Sequence, residues 1–186
     1  MAASHEPVLV DEPAAEGVLS RALVVLWHGA GGDVDERSLA AVARTAAREG
    51  ALVVRARFPY RVAGKRAPDR MPVLLRAARE SVASAVDLPA AHGRRLVLGG
   101  RSMGGRVASM LVADGLAASG LVFLSYPLHP AGNPEKLRDA HLARVPCPML
   151  FVQGDRDALC DLALLRPVIE RLGEGARLVV FEGSDH

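Results

Sequence analysis

The chain has 186 residues, half of them apolar and 24% charged, which suits one folded domain and excludes a disordered or low-complexity chain. Its 23 Lys+Arg against 21 Asp+Glu leave a formal charge of +2, too small to point to nucleic acid. The longest apolar runs fall far short of a bilayer span, and residues 1–7 lack the basic and apolar segments of a secretory leader.

Short aliphatic runs alternate with amphipathic stretches along the chain, with no internal repeat and no linker. A possible edge strand at 8–10 comes first, then a strand at 22–27 and a helix at 38–49 with Leu39, Val42, Ala43 and Ala46 on one stripe. A strand at 52–57 precedes the longest helix, 71–86, entered through Asp69 and Pro72. Next come a strand at 96–99, a helix at 104–113 and a strand at 121–125. Asn133, Pro134 and Glu135 form a capping signature that predicts a further helix. A strand at 149–153 is followed by a helix ending at Leu172 before Gly173, its regular part expected to begin late because of Pro167. The last strand is 177–181. The strands read as apolar on both faces, so the expectation is an α/β fold: a mostly parallel sheet of about six or seven strands with helices on both faces and no cap domain, a single domain over residues 1–186. In such sheets chemistry gathers at the carboxyl ends of the strands.

The strongest motif lies there. Gly100-Arg101-Ser102-Met103-Gly104 connects a strand to a helix, the setting of a nucleophile elbow, with glycines where a Cβ would collide with neighbouring elements. Serine needs a base and an orienting acid, which in this fold class follow in the order Ser, Asp or Glu, His. The strand at 149–153 runs into Asp155 and Asp157, and the strand at 177–181 runs into Asp185 and His186. His186 is the candidate base. Either Asp157 or Asp155 could be the acid, while Asp185 adjoins the histidine too closely to hold its ring. The loop His28-Gly29-Ala30-Gly31-Gly32 after the strand at 22–27 can offer the Ala30 amide, beside that of Met103, as an oxyanion hole. His28 reads as an anchor for that loop.

Tyr60, Arg61, Tyr126, Leu128 and His129 follow strand ends and are candidates for the substrate-pocket wall. Arg57, Arg61 and Arg101 together would make the mouth electropositive and suit an acidic or phosphorylated substrate. His5, His92 and His141 read as surface residues. Neither glycine-rich segment fits a P-loop or a dinucleotide fingerprint. Cys147 and Cys160 make neither a disulfide framework nor a zinc site, so no metal and no cofactor is expected.

With these motifs on view, the chain resembles the α/β-hydrolase superfamily. Within it the likeness is to a small capless branch related to dienelactone hydrolase and to testis-expressed-protein-like hydrolase-fold proteins. The segments that carry it are His28–Gly32, Phe58-Pro59-Tyr60, Gly100–Arg106, Tyr126–Pro130, Phe151–Asp157 and Ser184-Asp185-His186. The family pattern puts the acid at Asp157, the fourth residue of Gly154-x-x-Asp157. Dienelactone hydrolase itself uses a cysteine where Ser102 stands here, so its substrate is not carried over. The resemblance implies a serine hydrolase or a relative of one, and the leading expectation is cleavage of an ester, thioester or related acyl bond of a small molecule. From charge, apolar runs, cysteines and the start of the chain, the expectation is a cytoplasmic protein with no nucleic-acid or membrane partner. A non-catalytic binding or scaffold protein and an acyltransferase with the same triad are the alternatives. Relatives continue past the histidine into a final helix, expected here to be absent or truncated, which leads to the expectation that His186 is held more loosely than Ser102 or Asp157.

Overall fold

A computed structural model describes residues 7–186. The readings that fall on residues 1–6, a start without a leader and His5 at the surface, lie outside the described residues. Seven strands form one sheet: β1 (Val8–Asp11), β2 (Ala22–Trp27), β3 (Leu52–Ala56), β4 (Arg95–Arg101), β5 (Gly120–Leu124), β6 (Met149–Gly154) and β7 (Ala176–Phe181), in the order β1-β3-β2-β4-β5-β6-β7. Every pairing is parallel except that of β1 with β3. Parallel strands need crossovers, and these run through α1 (Arg37–Arg48), α3 (Met71–Val86), α4 (Met103–Ala113) and α5 (Leu162–Leu172), with one short turn of helix, α2 (Pro59–Val62), while β5 reaches β6 through an irregular stretch with a single 3-10 turn at Leu142–Arg144. The strand order reverses at β2, between β3 and β4, and such a switch point opens a crevice at the carboxyl ends of the strands.

Helices lie on both faces, unequally. The larger core packs α3, α4 and α5 against side chains such as Leu98, Phe123 and Phe151. On the opposite face α1 alone covers β2 and β3, with Leu39, Ala43 and Ala47 buried against Val24, Leu26 and Val53. Towards β7 that face is progressively less covered: Val122 and Val152 are half-buried, Val179 is 44% exposed and Phe181 is 55% exposed. The reading of every strand as buried on both faces therefore holds for β2 and β3 and not for the edge strand β7, whose burial alternates.

Two local expectations give way to packing. No helix starts at Asn133-Pro134-Glu135; the segment turns, and the Asn133 side chain donates to Ala131 O and accepts from Lys136 Nζ instead of capping. Residues 134–137 are all exposed, so a helix there would have no apolar face to bury, and short helices without one do not form. Conversely α5 begins at Leu162, capped by Asp161 accepting from Ala163 N–H at 2.8 Å, and runs through Pro167. A proline inside a helix costs about 3 kcal/mol. Burial of Leu165 and Val168, with Leu164, Ile169 and Leu172 packed around them, offsets it.

Candidate active site

Ser102 stands between β4 and α4 with φ 49° and ψ −115°, a conformation L-residues rarely adopt. The glycines around it permit the turn. A Cβ on Gly100 or on Gly104 would lie 2.2 Å from Trp27 O in the neighbouring strand β2, so the elbow is pressed directly onto β2. The serine is 8% exposed, with its hydroxyl turned to the imidazole: His186 Nε2 lies 2.7 Å from Ser102 Oγ. On the other side of the ring, Nδ1 lies 2.8 Å from Asp157 Oδ2. The acceptor carboxylate dictates that Nδ1 carries the proton, which leaves Nε2 to accept from the serine hydroxyl. One unbroken line of hydrogen bonds therefore joins residues 84 and 29 positions apart in sequence.

Of the two acids left open, Asp157 meets the histidine and Asp155 is exposed. Asp157 is buried, and its Oδ1 accepts from Leu159 N–H at 2.8 Å. His186 is bonded at both ring nitrogens, against the expectation that it would be loose. What holds its loop is Gly154: a Cβ there would lie 2.3 Å from Ser184 O, so only glycine lets the 182–186 segment cross the end of β6 this closely. Arg156 N–H then donates to Ser184 O at 2.9 Å.

The loop after β2 lies against the elbow, and a Cβ on Gly29 would be 3.5 Å from Ser102 Cβ. His28 pins it: Nδ1–H donates to Gly29 O at 2.8 Å, and Nε2 accepts from Phe58 N–H at 3.2 Å. Both bonds suit the neutral ring, and burial lowers its pKa below 6.5. Tyr60 closes the loop from below, its hydroxyl donating to Ala30 O at 2.8 Å. Met103 N–H belongs to the first turn of α4, where backbone donors have no partner within the helix.

An open cleft of about 590 Å³ adjoins His186, its lining including the apolar Val42, Leu124, Val152 and Phe181 together with Ser125. None of the five residues read as pocket wall lines it. Tyr60 is buried under the loop after β2. Arg61 reaches Asp33 at 3.3 Å. Tyr126 and Leu128 are wholly buried, Tyr126 donating to Arg138 O at 2.8 Å. His129 is a buried stitch between loops, accepting from Asp161 N–H at 3.0 Å. Position after a strand end did not distinguish lining from packing.

The arginines are also otherwise engaged. Arg57 Nε meets Asp33 at 2.6 Å and Arg101 Nε meets Glu36 at 2.8 Å, so each of the three arginines expected at the mouth is held in an ion pair, two of them on the one Asp33 carboxylate. Burial would raise the Asp33 carboxyl, but the Val34 amide and the two arginines outweigh it and hold it below the usual range. His141 is half-buried beside Ser109, at 2.8 Å, rather than at the surface, and burial lowers its pKa to about 4. His92 is exposed.

Two residues near the site gave no sequence signal. Ser125 takes φ 53° at the end of β5. Gln153, 1% exposed, donates to Asp157 Oδ2 at 2.5 Å. Among the described residues no group of three or more His, Cys, Asp or Glu could hold a metal ion. Cys147 and Cys160 are free and buried, the Cys160 thiol pushed up to about 12 by burial with Asp157 nearby. No helix among the described residues is long and apolar enough to cross a membrane.

Residues 20–186 match a family model described as an alpha/beta hydrolase domain. Among solved structures, the chain is similar to a lidless α/β serine hydrolase from Xanthomonas campestris, with 24% identity and a TM-score of 0.75 over 96% of this chain and 79% of that one. It is similar also to an α/β serine hydrolase homologue from Coxiella burnetii (16% identity, TM-score 0.78, 96% and 82% covered). A third likeness is to Est1E from Butyrivibrio proteoclasticus (19% identity, TM-score 0.75, 96% and 85% covered).

Proposed function

Because the chain belongs to the alpha/beta hydrolase domain family, we propose that it is a serine hydrolase cleaving an ester, thioester or related acyl bond of a small substrate. The observation that carries this reading is the line Ser102–His186–Asp157, with donor and acceptor roles already those that acyl transfer requires. Ser102 Oγ attacks the acyl carbon while His186 Nε2 takes its proton. The Asp157 carboxylate stabilises the imidazolium that forms. The developing oxyanion falls to the amides of Ala30 and Met103, and loss of one such donor typically costs about 2.7–4 kcal/mol of barrier stabilisation. His186 returns the proton to the leaving group. Water, activated by the same imidazole, then cleaves the acyl-enzyme and regenerates the serine.

A strained serine alone could be a structural turn, but packing has no need for a buried carboxylate and an imidazole aligned behind it. Treatment with a fluorophosphonate, with the adduct located by mass spectrometry, tests the reading. Labelling at Ser102, abolished in Ser102→Ala, is the expected result. A folded wild-type protein that stays unlabelled at Ser102 overturns it and favours a binding role. A panel of small esters and thioesters, with Ser102→Ala as control, then separates acyl classes. Competition between water and an added alcohol or amine distinguishes hydrolysis from acyl transfer by product ratio.

A further inference from the structure

Behind the triad acid lies one more side chain. Gln153 is on β6, four residues before Asp157, and its Nε2 donates to Asp157 Oδ2 at 2.5 Å. The same oxygen accepts from His186 Nδ1 at 2.8 Å, and Oδ1 accepts from Leu159 N–H at 2.8 Å. Among the described residues His186 is the only ion-pair partner of this carboxylate. Its orientation is therefore set by neutral donors rather than by an arginine or lysine.

The other end of the amide carries the argument. Gln153 Oε1 is buried and has no hydrogen-bond partner among the described residues. An orphaned buried carbonyl is destabilising, and a methionine of similar volume would fill the same space without that cost. Turning the amide over would set Oε1 against the carboxylate, two acceptors with no proton between them, and would orphan the donor instead. Among the described residues, then, the only polar contact of this side chain is with Asp157. The Leu159 amide at one oxygen and Gln153 at the other stop rotation of the carboxylate, leaving the second acceptor site of Oδ2 facing the imidazole.

Resting on the reading of Ser102, His186 and Asp157 as the catalytic line, we propose that Gln153 is a positioning residue that locks the Asp157 carboxylate in the rotamer facing His186 Nδ1. It acts on the reaction only through Asp157 and takes no proton itself.

The test compares wild type with Gln153→Met, which keeps the volume and removes the donor, in both the Asp157 and the Asp157→Ala backgrounds. Three readouts are taken: the rate of fluorophosphonate labelling at Ser102, kcat and KM on a small activated ester, and the far-downfield proton resonance of His186 Nδ1–H. The expected result is a fall in labelling rate and kcat of about 10–100-fold, the range for a hydrogen bond to a charged group, with KM within about twofold. The resonance shifts or broadens, and the melting temperature does not fall. In the Asp157→Ala background the same substitution changes the labelling rate by less than about twofold, because its target is gone. An equal loss in both backgrounds overturns the proposal, as does an unchanged rate with an unmoved resonance. Should Gln153→Met not fold, Gln153→Asn draws the donor back by one methylene and is expected to show the same loss and the same dependence on Asp157. Failure of the hydrolase reading looks different: wild type is then unlabelled, while the His186 resonance, which needs no substrate, still reports whether Gln153 governs the Asp157 contact.

Discussion

At Ser102 backbone conformation and hydrogen bonding are tied together in one residue. Its positive φ raises the hydroxyl out of the turn towards His186 Nε2, and the neutral imidazole can accept only because Asp157 holds the proton on Nδ1. Asp157→Asn keeps the shape but presents an amide where the charge was, and favours the wrong tautomer. On the proposed hydrolase reading it is expected to lower kcat by about 10⁴-fold, as in Ser-His-Asp triads, with little change in melting temperature, read by ester kinetics beside a thermal scan. Two other histidines contribute to the acid response of the fold. Burial keeps His28 and His141 neutral, His28 below 6.5 and His141 at about 4. In the unfolded chain each takes a proton near pH 6.5, which the folded chain refuses until lower pH, so between these values protons favour the unfolded state. Stability is therefore full above about pH 6.5 and falls as pH drops towards about 4. A melting series from about pH 7.5 to about 4.5 checks this, and His141→Gln should flatten the slope.

At the scale of the element, the site is made by close approaches that glycine alone allows. Gly104 seats α4 on β2 so that the first turn of the helix faces the loop carrying Ala30. Gly154 lets the 182–186 segment cross the end of β6 and deliver His186. Gly154→Ala should therefore act on activity before it acts on the fold: pushing the Ser184 carbonyl aside displaces the imidazole, and a shift of about 1 Å in a reacting group costs roughly 100-fold in rate. The expected outcome is that loss in kcat, with residual fluorophosphonate labelling slowed in proportion and far-ultraviolet circular dichroism unchanged. Retained activity would mean that the loop relaxes without moving the ring. The same scale explains where local signals misled. A good capping sequence at Asn133 makes no helix because nothing covers it, whereas α5 tolerates Pro167 because Leu165 and Val168 are buried against the sheet.

Across the whole molecule the two faces of the sheet differ in what they contribute. Phe151 lies in the larger core, in ring contact with Phe123 and Tyr126, and Phe151→Ala is expected to cost about 3–5 kcal/mol by chemical denaturation. Val179, on the thinly covered side of β7, should tolerate Val179→Thr within about 0.5 kcal/mol. A large loss at Val179 would show that this face is covered in solution. Much of the architecture was legible beforehand, since strands and helices announce themselves by local periodicity and the order Ser102, Asp157, His186 follows the strands that bear them. Choosing Asp157 over Asp155 needed either the family pattern or the geometry, because the two stand alike after one strand. What the sequence alone determined was the set of elements and the chemical types at their carboxyl ends, quantities that depend on neighbours a few residues away. Only the tertiary structure decided that Tyr60 and His129 pack rather than line a cleft, that Arg57 and Arg101 are held in ion pairs, and that Gln153 stands behind the acid. Those outcomes depend on which atoms meet across strands far apart in the chain, and no local pattern carries that distance.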